Sequence, residues 1–436
     1  MSSTVYFDFE NMPYVLSSAY KRYALIKISE SFILSLSEIF YFLYLIDLLG
    51  YFNTSLIVSI IFFTQTMSDF PSGVLGDLIG QKKVLTIAYV LYGCTFFLFL
   101  RATDLWSFVL LGILFGLARA QQSGSLQTWI DNIYSEYVQD NDPERKKYGF
   151  NMARIEYLDW LSLAVSFLVG GFIATQDSRK VVFKIQIISI VFLIILVIKL
   201  LKIPSTHTEF ENQNTTNPKK GYTHYFSSSL KFLFSTKERF FILLGLVIWR
   251  VYIIIWGTLI LLPIYYGYSG SDKLSGIIRT IVYVNGIIIG IAISKFSLKL
   301  KNKDISRLML IHSISFFSSI FLLLTFIHVN NTFNPIGFGI TILIYAVCNG
   351  VILGLIFILI PRVQINIIPS ENRHGIYSLI PSLVSLIAVI ILPITGKLIQ
   401  ENNDLRFGVI ICFVLTIMGL VLTINGFKYT NKSPNN

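Results

Sequence analysis

The sequence predicts an all-α integral membrane protein of twelve transmembrane helices, six on either side of a polar linker. Three observations carry that expectation. Of the 436 residues, 54% are hydrophobic and only 14% charged, more apolar side chain than one soluble core can hide. Apolar runs of about 20 residues, the length that crosses a bilayer as a helix, recur along the whole chain. The runs show no two-residue alternation, so they read as helices with internally bonded backbone rather than barrel strands.

The spans are placed at about 23–47, 54–79, 83–101, 105–131, 149–174 and 181–203, then 239–266, 274–298, 305–328, 333–363, 373–399 and 405–427. The segment 1–22 lacks the basic-then-apolar pattern of a cleaved signal and is expected to be a cytoplasmic tail. The bundles are then 23–203 and 239–427. Between them 204–238 carries Asn212, Gln213, Asn214, Thr215, Thr216, Asn217 and Pro218, which is linker composition. A short tail, 428–436, closes the chain.

Charge sets the orientation. With both termini inside, 23 of the 35 lysines and arginines fall in cytoplasmic segments, seven in outer ones and five within spans. The net charge of +11 is therefore explained by anionic headgroups and orientation rather than by nucleic acid. Cys94, Cys348 and Cys412 all lie in apolar spans and match neither a zinc site nor a disulfide framework. The five histidines are scattered without metal-ligand spacing, and no nucleophile triad or phosphate-binding loop is readable. A membrane-embedded transferase is thereby disfavoured. A cofactor or metal is not expected, and a receptor built on a transporter fold stays open.

The stretch from Asp69 to Lys83 stands out. It holds Gly73, Gly76, Asp77 and Gly80 and ends in Lys82 and Lys83, and it is read as a tight cytoplasmic turn between the second and third spans. Gly73-Val74-Leu75-Gly76-Asp77-Leu78-Ile79-Gly80-Gln81-Lys82-Lys83 resembles the signature loop of the major facilitator superfamily, roughly G-x-L-A-D-R-x-G-R-K. Leu78 and Gln81 depart from its two arginines. Asp69-Phe70-Pro71-Ser72-Gly73 is similar to the E-x-P-T-G lead-in of a bacterial and archaeal branch. Ser123-Gly124-Ser125-Leu126-Gln127-Thr128-Trp129-Ile130-Asp131 resembles that branch's S-G-x-x-E-A-W-x-x-D run, with Gln127 in place of the acid. Asn366, Pro369 and Arg373 match its N-x-x-P-x-x-x-R entry to the eleventh helix.

The resemblance covers about residues 23–427. It implies two pseudo-symmetric six-helix bundles, alternating access and a secondary transporter rather than an enzyme. It also implies a monomer in the cell membrane, with a small-molecule substrate and protons as the coupling ion. Proton-coupled export of an amphipathic solute or drug is the leading expectation; an importer or uniporter is the alternative. By the same resemblance Asp77 meets the eleventh helix near Ser370, a candidate N-cap, and Asp131 meets Lys82 or Lys83. The competing reading for both aspartates is a solvated loop.

Charges inside a bilayer usually face a cavity or one another. Glu38, Arg119 and Arg250 fall near the middle of spans one, four and seven, the helices that line the family's cavity. A structural ion pair between Glu38 and either arginine is the alternative. Glu30 lies about 12 Å below Glu38 on the same helix. Glu156 and Asp159 are three residues apart and share a face. Asn285 and Asn349 are uncharged candidates.

Overall fold

The computed structural model describes residues 13–138, 145–174, 179–201, 235–297, 299–330, 348–368 and 373–430. Among the described residues every regular element is helical. The first half holds α1 (Tyr14–Ser35), α2 (Tyr41–Ile79), α3 (Gln81–Arg101), α4 (Leu105–Gln122), α5 (Ser125–Val138), α6 (Lys146–Ile173) and α7 (Arg179–Leu200). The second holds α8 (Lys237–Ile255), a π-turn over Trp256–Ile260, α9 (Leu261–Ser269), α10 (Asp272–Ser297) and α11 (Asp304–Asn330). A second π-turn, Cys348–Leu353, leads into α12 (Gly354–Ile367), followed by α13 (Arg373–Asn402) and α14 (Arg406–Thr430). Nine helical stretches among the described residues are long and apolar enough to cross a membrane. Isoleucine-rich runs such as α7 persist as helix because a bilayer leaves an unbonded backbone no alternative partner.

Three local expectations are corrected. The span placed at 23–47 is not continuous: α1 begins at Tyr14 and ends at Ser35, and the chain turns through Leu36–Phe40 before α2 starts. Ser35, Ser37 and Glu38 bring polar side chains to a point where they compete with helical backbone bonds. The helix α2 then runs through to Ile79, interrupted only where Gly50 leaves helical geometry (φ 73°, ψ 174°). The stretch from Asp69 onward is consequently not a turn. It is the end of α2, and a single residue, Gly80 at φ 87°, separates it from α3. Glycine tolerates that angle, so one residue suffices for the reversal of pairing. The fourth span is likewise broken, at Ser123 and Gly124 (φ 76°), into α4 and α5. Asp104 caps α4 by accepting from the Ser107 backbone N–H at 3.0 Å, and the Ser107 hydroxyl also donates to it. These bonds hold its carboxyl below the usual carboxylate range. Most of the linker and the first part of the tenth span (333–347) lie outside the described residues.

The helices gather into two compact units. The first takes its described residues from Met1–Tyr41, Phe63–Pro218 and Ser271–Thr280. Its helices are stitched by side-chain hydroxyls and amides on neighbouring backbones: Ser162 donates to Ile28 O (2.8 Å), Ser166 to Phe32 O (2.7 Å) and Gln186 to Ile33 O (2.8 Å). Such bonds replace a hydrophobic driving force that lipid does not supply. The stacked rings of Phe99 and Phe183, 4.7 Å apart, fill its centre. The first nine residues of α10 belong to this unit: Thr280 donates to Ala164 O at 2.9 Å, and an added methyl at Gly276 would lie 2.6 Å from Phe167 O. The second unit takes Phe42–Phe62, Lys219–Gly270 and Ile281–Asn436. Its core is α8 against α14, where Gly245 and Gly419 bring the backbones into contact. A methyl on either would come within 2.7 Å of the other's carbonyl oxygen. Gly396 of α13 packs as closely on Tyr51 and Ser55 of α2.

Candidate functional site

The charged residues of the first unit converge on two neighbouring cavities. The larger, about 280 Å³, is lined by α1 (Tyr23, Lys27, Glu30), Gln65 of α2 and Glu156 of α6. The rest of its wall is the α4–α5 break, from Arg119 and Gln122 through Gly124 to Gln127. The smaller, about 170 Å³, lies beside Glu38 and is walled by Tyr41, Tyr92, Phe96, Phe99 and Phe115. Arg119 and Gln122 line both.

Glu30 is the most enclosed carboxylate of this group, 2% exposed. It accepts from the Tyr89 hydroxyl at 3.1 Å and from the Gln122 side-chain amide. Gln122 in turn accepts from the Tyr92 hydroxyl. A chain Tyr92–Gln122–Glu30–Tyr89 therefore ties α3, α4 and α1 at the cavity wall. On α6, Asp159 is buried and takes Lys27 Nζ at 3.6 Å together with the Ser31 hydroxyl. Glu156 is exposed on the rim of the larger cavity. Three residues apart on one helix, Glu156 and Asp159 both lie within the field of Lys27, which pairs with Asp159.

Glu38 sits in the Leu36–Phe40 turn rather than mid-helix. Its charge partner is Arg279 (3.8 Å), whose guanidinium also bonds the Glu38 backbone oxygen at 3.0 Å. Arg119 shares the smaller cavity with Glu38 and stands over the Phe115 ring at 5.5 Å. Arg250 belongs to α8 of the second unit, half-buried, with its Nε lacking a partner among the described residues. Asn285 is half-buried on α10. Asn349 falls in the second π-turn, and its side chain lies outside what is described, as do those of Gly73's neighbours Pro71 and Asp77.

Within the signature stretch, Asp69 is half-buried and Gly76 is buried. Lys82 donates to Ile198 O at 2.7 Å, and Lys83 is exposed. Asp131 does not meet either lysine. It pairs with Arg145, which also reaches the Ser135 hydroxyl at 2.9 Å. Ser370 lies outside the described residues; Arg373 opens α13, its side chain undescribed.

Sequence reasoning missed Tyr89, Tyr92 and Gln122, which in an apolar span look like packing residues. Arg119 and Gln122 are three apart, and so are Tyr89 and Tyr92; that spacing was the available signal. It also missed Asp272, which holds Arg179 by two bonds of 2.7 and 2.9 Å. No group of three or more metal-binding side chains occurs among the described residues.

The sequence matches the family model of the Major Facilitator Superfamily over residues 29–373. A 68-residue segment is 37% identical to an uncharacterized MFS-type transporter of Methanocaldococcus jannaschii, covering 16% of this chain and 17% of that protein. The chain thus spans less than a fifth of that relative in the match. The fold is similar to the crystal structure of the nucleoside transporter NupG, with TM-score 0.72 and 13% identity over 95% of this chain and all of that one. It is also similar to a D-xylose-proton symporter, with TM-score 0.65 and 12% identity over 96% and 98% of the two chains. At such identities the likeness concerns the fold alone.

Proposed function

This chain belongs to the major facilitator superfamily, and from that premise we propose that it is a proton-coupled carrier of a small amphipathic solute, working by alternating access. One observation carries the reading: buried Glu30 is bonded to Gln122, and Gln122 faces both cavities. An ionised carboxylate accepts from Tyr89 and from the Gln122 amide. A carboxyl protonated at Oε1, the oxygen that faces Gln122, donates from there, so the amide loses its acceptor. Gln122 is then released to bond a solute in either cavity. Proton uptake and solute binding are coupled through one side chain.

The two cavities differ in chemistry. The larger is lined by polar or charged side chains at nine of eleven positions and holds one ring, Tyr23, whereas the smaller sets five aromatic rings beside Glu38, Arg119 and Gln122. A solute with a hydrogen-bonding end and a flat apolar end fits the pair. Nucleoside-like solutes have that form, and a nucleoside transporter is among the proteins sharing this fold. Export in exchange for protons is the direction we assign. Import with protons is the second reading, favoured by the xylose-proton symporter among the structural neighbours.

The remaining assignments complete the proposal. The protein crosses the cytoplasmic membrane twelve times with both termini inside, acts as a monomer and catalyses no covalent step. Asp77, with Asp69, Lys82, Lys83 and Asp131, forms the first unit's part of its cytoplasmic gate. Glu30→Gln in proteoliposomes is the test. It should abolish solute accumulation driven by a pH gradient while sparing solute exchange at equal pH. Undiminished pH-driven accumulation would remove Glu30 from the coupling role.

A further inference from the structure

An apolar groove of about 560 Å³ runs down the outside of the first unit between α1, α6 and α7. Its walls include Phe32 of α1, Leu158, Leu161 and Val165 of α6, and Phe192 of α7. The last four are 36–53% exposed, and α6 and α7, which carry them, are long and apolar enough to cross a membrane, so the groove opens onto acyl chains. Three serines, Ser29, Ser162 and Ser189, lie in its floor.

Each wall carries a cation in the same relation to the groove. Arg22 precedes Ser29 by seven residues, Arg154 precedes Leu161 by seven, and Lys199 follows Phe192 by seven. Seven residues are two helical turns, so each cation lies on the groove's own stripe, about 20° off and roughly 10 Å along the axis. The helices are held in fixed register. Ser162 bonds Ile28 O and Gln186 bonds Ile33 O. With α6 parallel to α1 and α7 antiparallel, that register sets Arg154 and Lys199 level with residue 20 of α1, within roughly 3 Å in depth of Arg22. All three cations therefore stand at one end of one groove. Arg154 is braced there by its guanidinium, 4.0 Å over the Phe150 ring. Arg22 is half-buried and Lys199 exposed.

We propose that this groove is a binding site for one anionic phospholipid, its acyl chain between α1, α6 and α7 and its headgroup phosphate among Arg22, Arg154 and Lys199. A bare apolar groove takes any lipid tail. Three convergent cations at headgroup depth select the charge of the lipid. The site stands apart from the solute cavities and depends only on the membrane-spanning fold. The basic end places it in the leaflet that faces the cytoplasm in the orientation assigned above.

The full-length protein, delipidated in detergent, is titrated with phosphatidylglycerol or phosphatidylcholine of identical acyl chains. Retained lipid is counted by native mass spectrometry and stability is read by thermal unfolding. One phosphatidylglycerol per chain should be retained and should raise the melting temperature, while phosphatidylcholine should not. Each of Arg22→Gln, Arg154→Gln and Lys199→Gln should weaken retention by on the order of fivefold. Lys184→Gln, which removes a charge from another face of α7, should not. Val165→Trp, which fills the groove and spares the cations, should also expel the lipid. Equal retention of the two lipids, or retention unchanged by Lys199→Gln at its exposed position, overturns the proposal. Displacement of the lipid by glycerol 3-phosphate at matched concentration overturns it as well, since it marks a free-phosphate site.

Discussion

Arg179 and Asp272 form a two-bond ion pair, Nε to Oδ2 at 2.7 Å and Nη2 to Oδ1 at 2.9 Å, with side chains 10% and 0% exposed. They come from opposite halves of the sequence and meet within one compact unit. Alongside, a methyl on Gly171 would lie 2.7 Å from the Asp272 carbonyl oxygen, so the start of α10 is seated tightly on α6. Breaking a buried pair by removing one partner leaves an uncompensated charge, at a cost of about 3–5 kcal/mol. Asp272→Ala should therefore lower the melting temperature of the purified protein markedly. Arg179→Met with Asp272→Leu should recover much of the loss, because the pair as a whole contributes little net stability. A single mutant as stable as the parent would show that the pair is solvated in the membrane.

The break at Gly124 makes a second, smaller prediction. Nothing lies within 4 Å of where a methyl would project, so the only penalty of Gly124→Ala is backbone strain at φ 76°. That penalty is about 1–2 kcal/mol, and asparagine, which tolerates the left-handed region, should recover part of it. Thermal unfolding of the Ala and Asn variants checks both. An alanine variant no less stable than the parent would mean that α4 and α5 can join into one straight helix.

The helical membrane fold was legible because apolar length and charge asymmetry are local properties of the sequence. The breaks were less so. Gly80 is a one-residue break and Ser123–Gly124 a two-residue one, each set among polar side chains (Gln81, Lys82 and Lys83; Gln121, Gln122 and Gln127), so the polar run overstates the break at Gly80, whereas the fourth span reads straight through the one at Gly124. In the candidate site Glu30 was readable, since a carboxylate in an apolar span asks for a partner. Its partners were not: Tyr89 and Gln122 lie 59 and 92 residues away, and neutral side chains leave no electrostatic trace in a hydropathy profile. Glu38 shows the reverse difficulty. Arg119 and Arg250 were chosen for depth, yet Arg279, set nearer a span end, takes the charge because the Leu36–Phe40 turn shifts Glu38 towards it.

Orientation is testable by labelling. In a background with Cys94, Cys348 and Cys412 replaced, single cysteines at Thr103 and Asn403 should react with an impermeant maleimide in intact cells. Cysteines at Lys82 and Asn302 should react only after permeabilisation. Thr103 and Asn403 follow α3 and α13, whereas Lys82 and Asn302 begin or precede α3 and α11. Reaction of Lys82→Cys from outside would invert the assigned topology.

The coupling chain offers the most discriminating prediction. Tyr89→Phe deletes one hydrogen bond to Glu30 and keeps the ring, whereas Gln122→Leu deletes the link between Glu30 and both cavities. A hydrogen bond to a charged group contributes about 1.5–3 kcal/mol. Losing the Tyr89 bond therefore favours the protonated carboxyl by roughly one to two pH units. The sign follows from which form the bond serves: the hydroxyl donates to the ionised carboxylate, so without it the proton is held to higher pH. In Tyr89→Phe the pH profile of solute uptake should move to higher pH with the maximal rate nearly preserved. In Gln122→Leu the profile should flatten, because protonation no longer reaches the solute, and equilibrium solute affinity should become independent of pH. A structural role for this chain predicts something else: both variants would lose protein in the membrane in proportion to transport, with the pH profile of the remainder unchanged. Transport per molecule across pH 5–9 therefore separates the two, and an unshifted Tyr89→Phe profile would sink the coupling scheme.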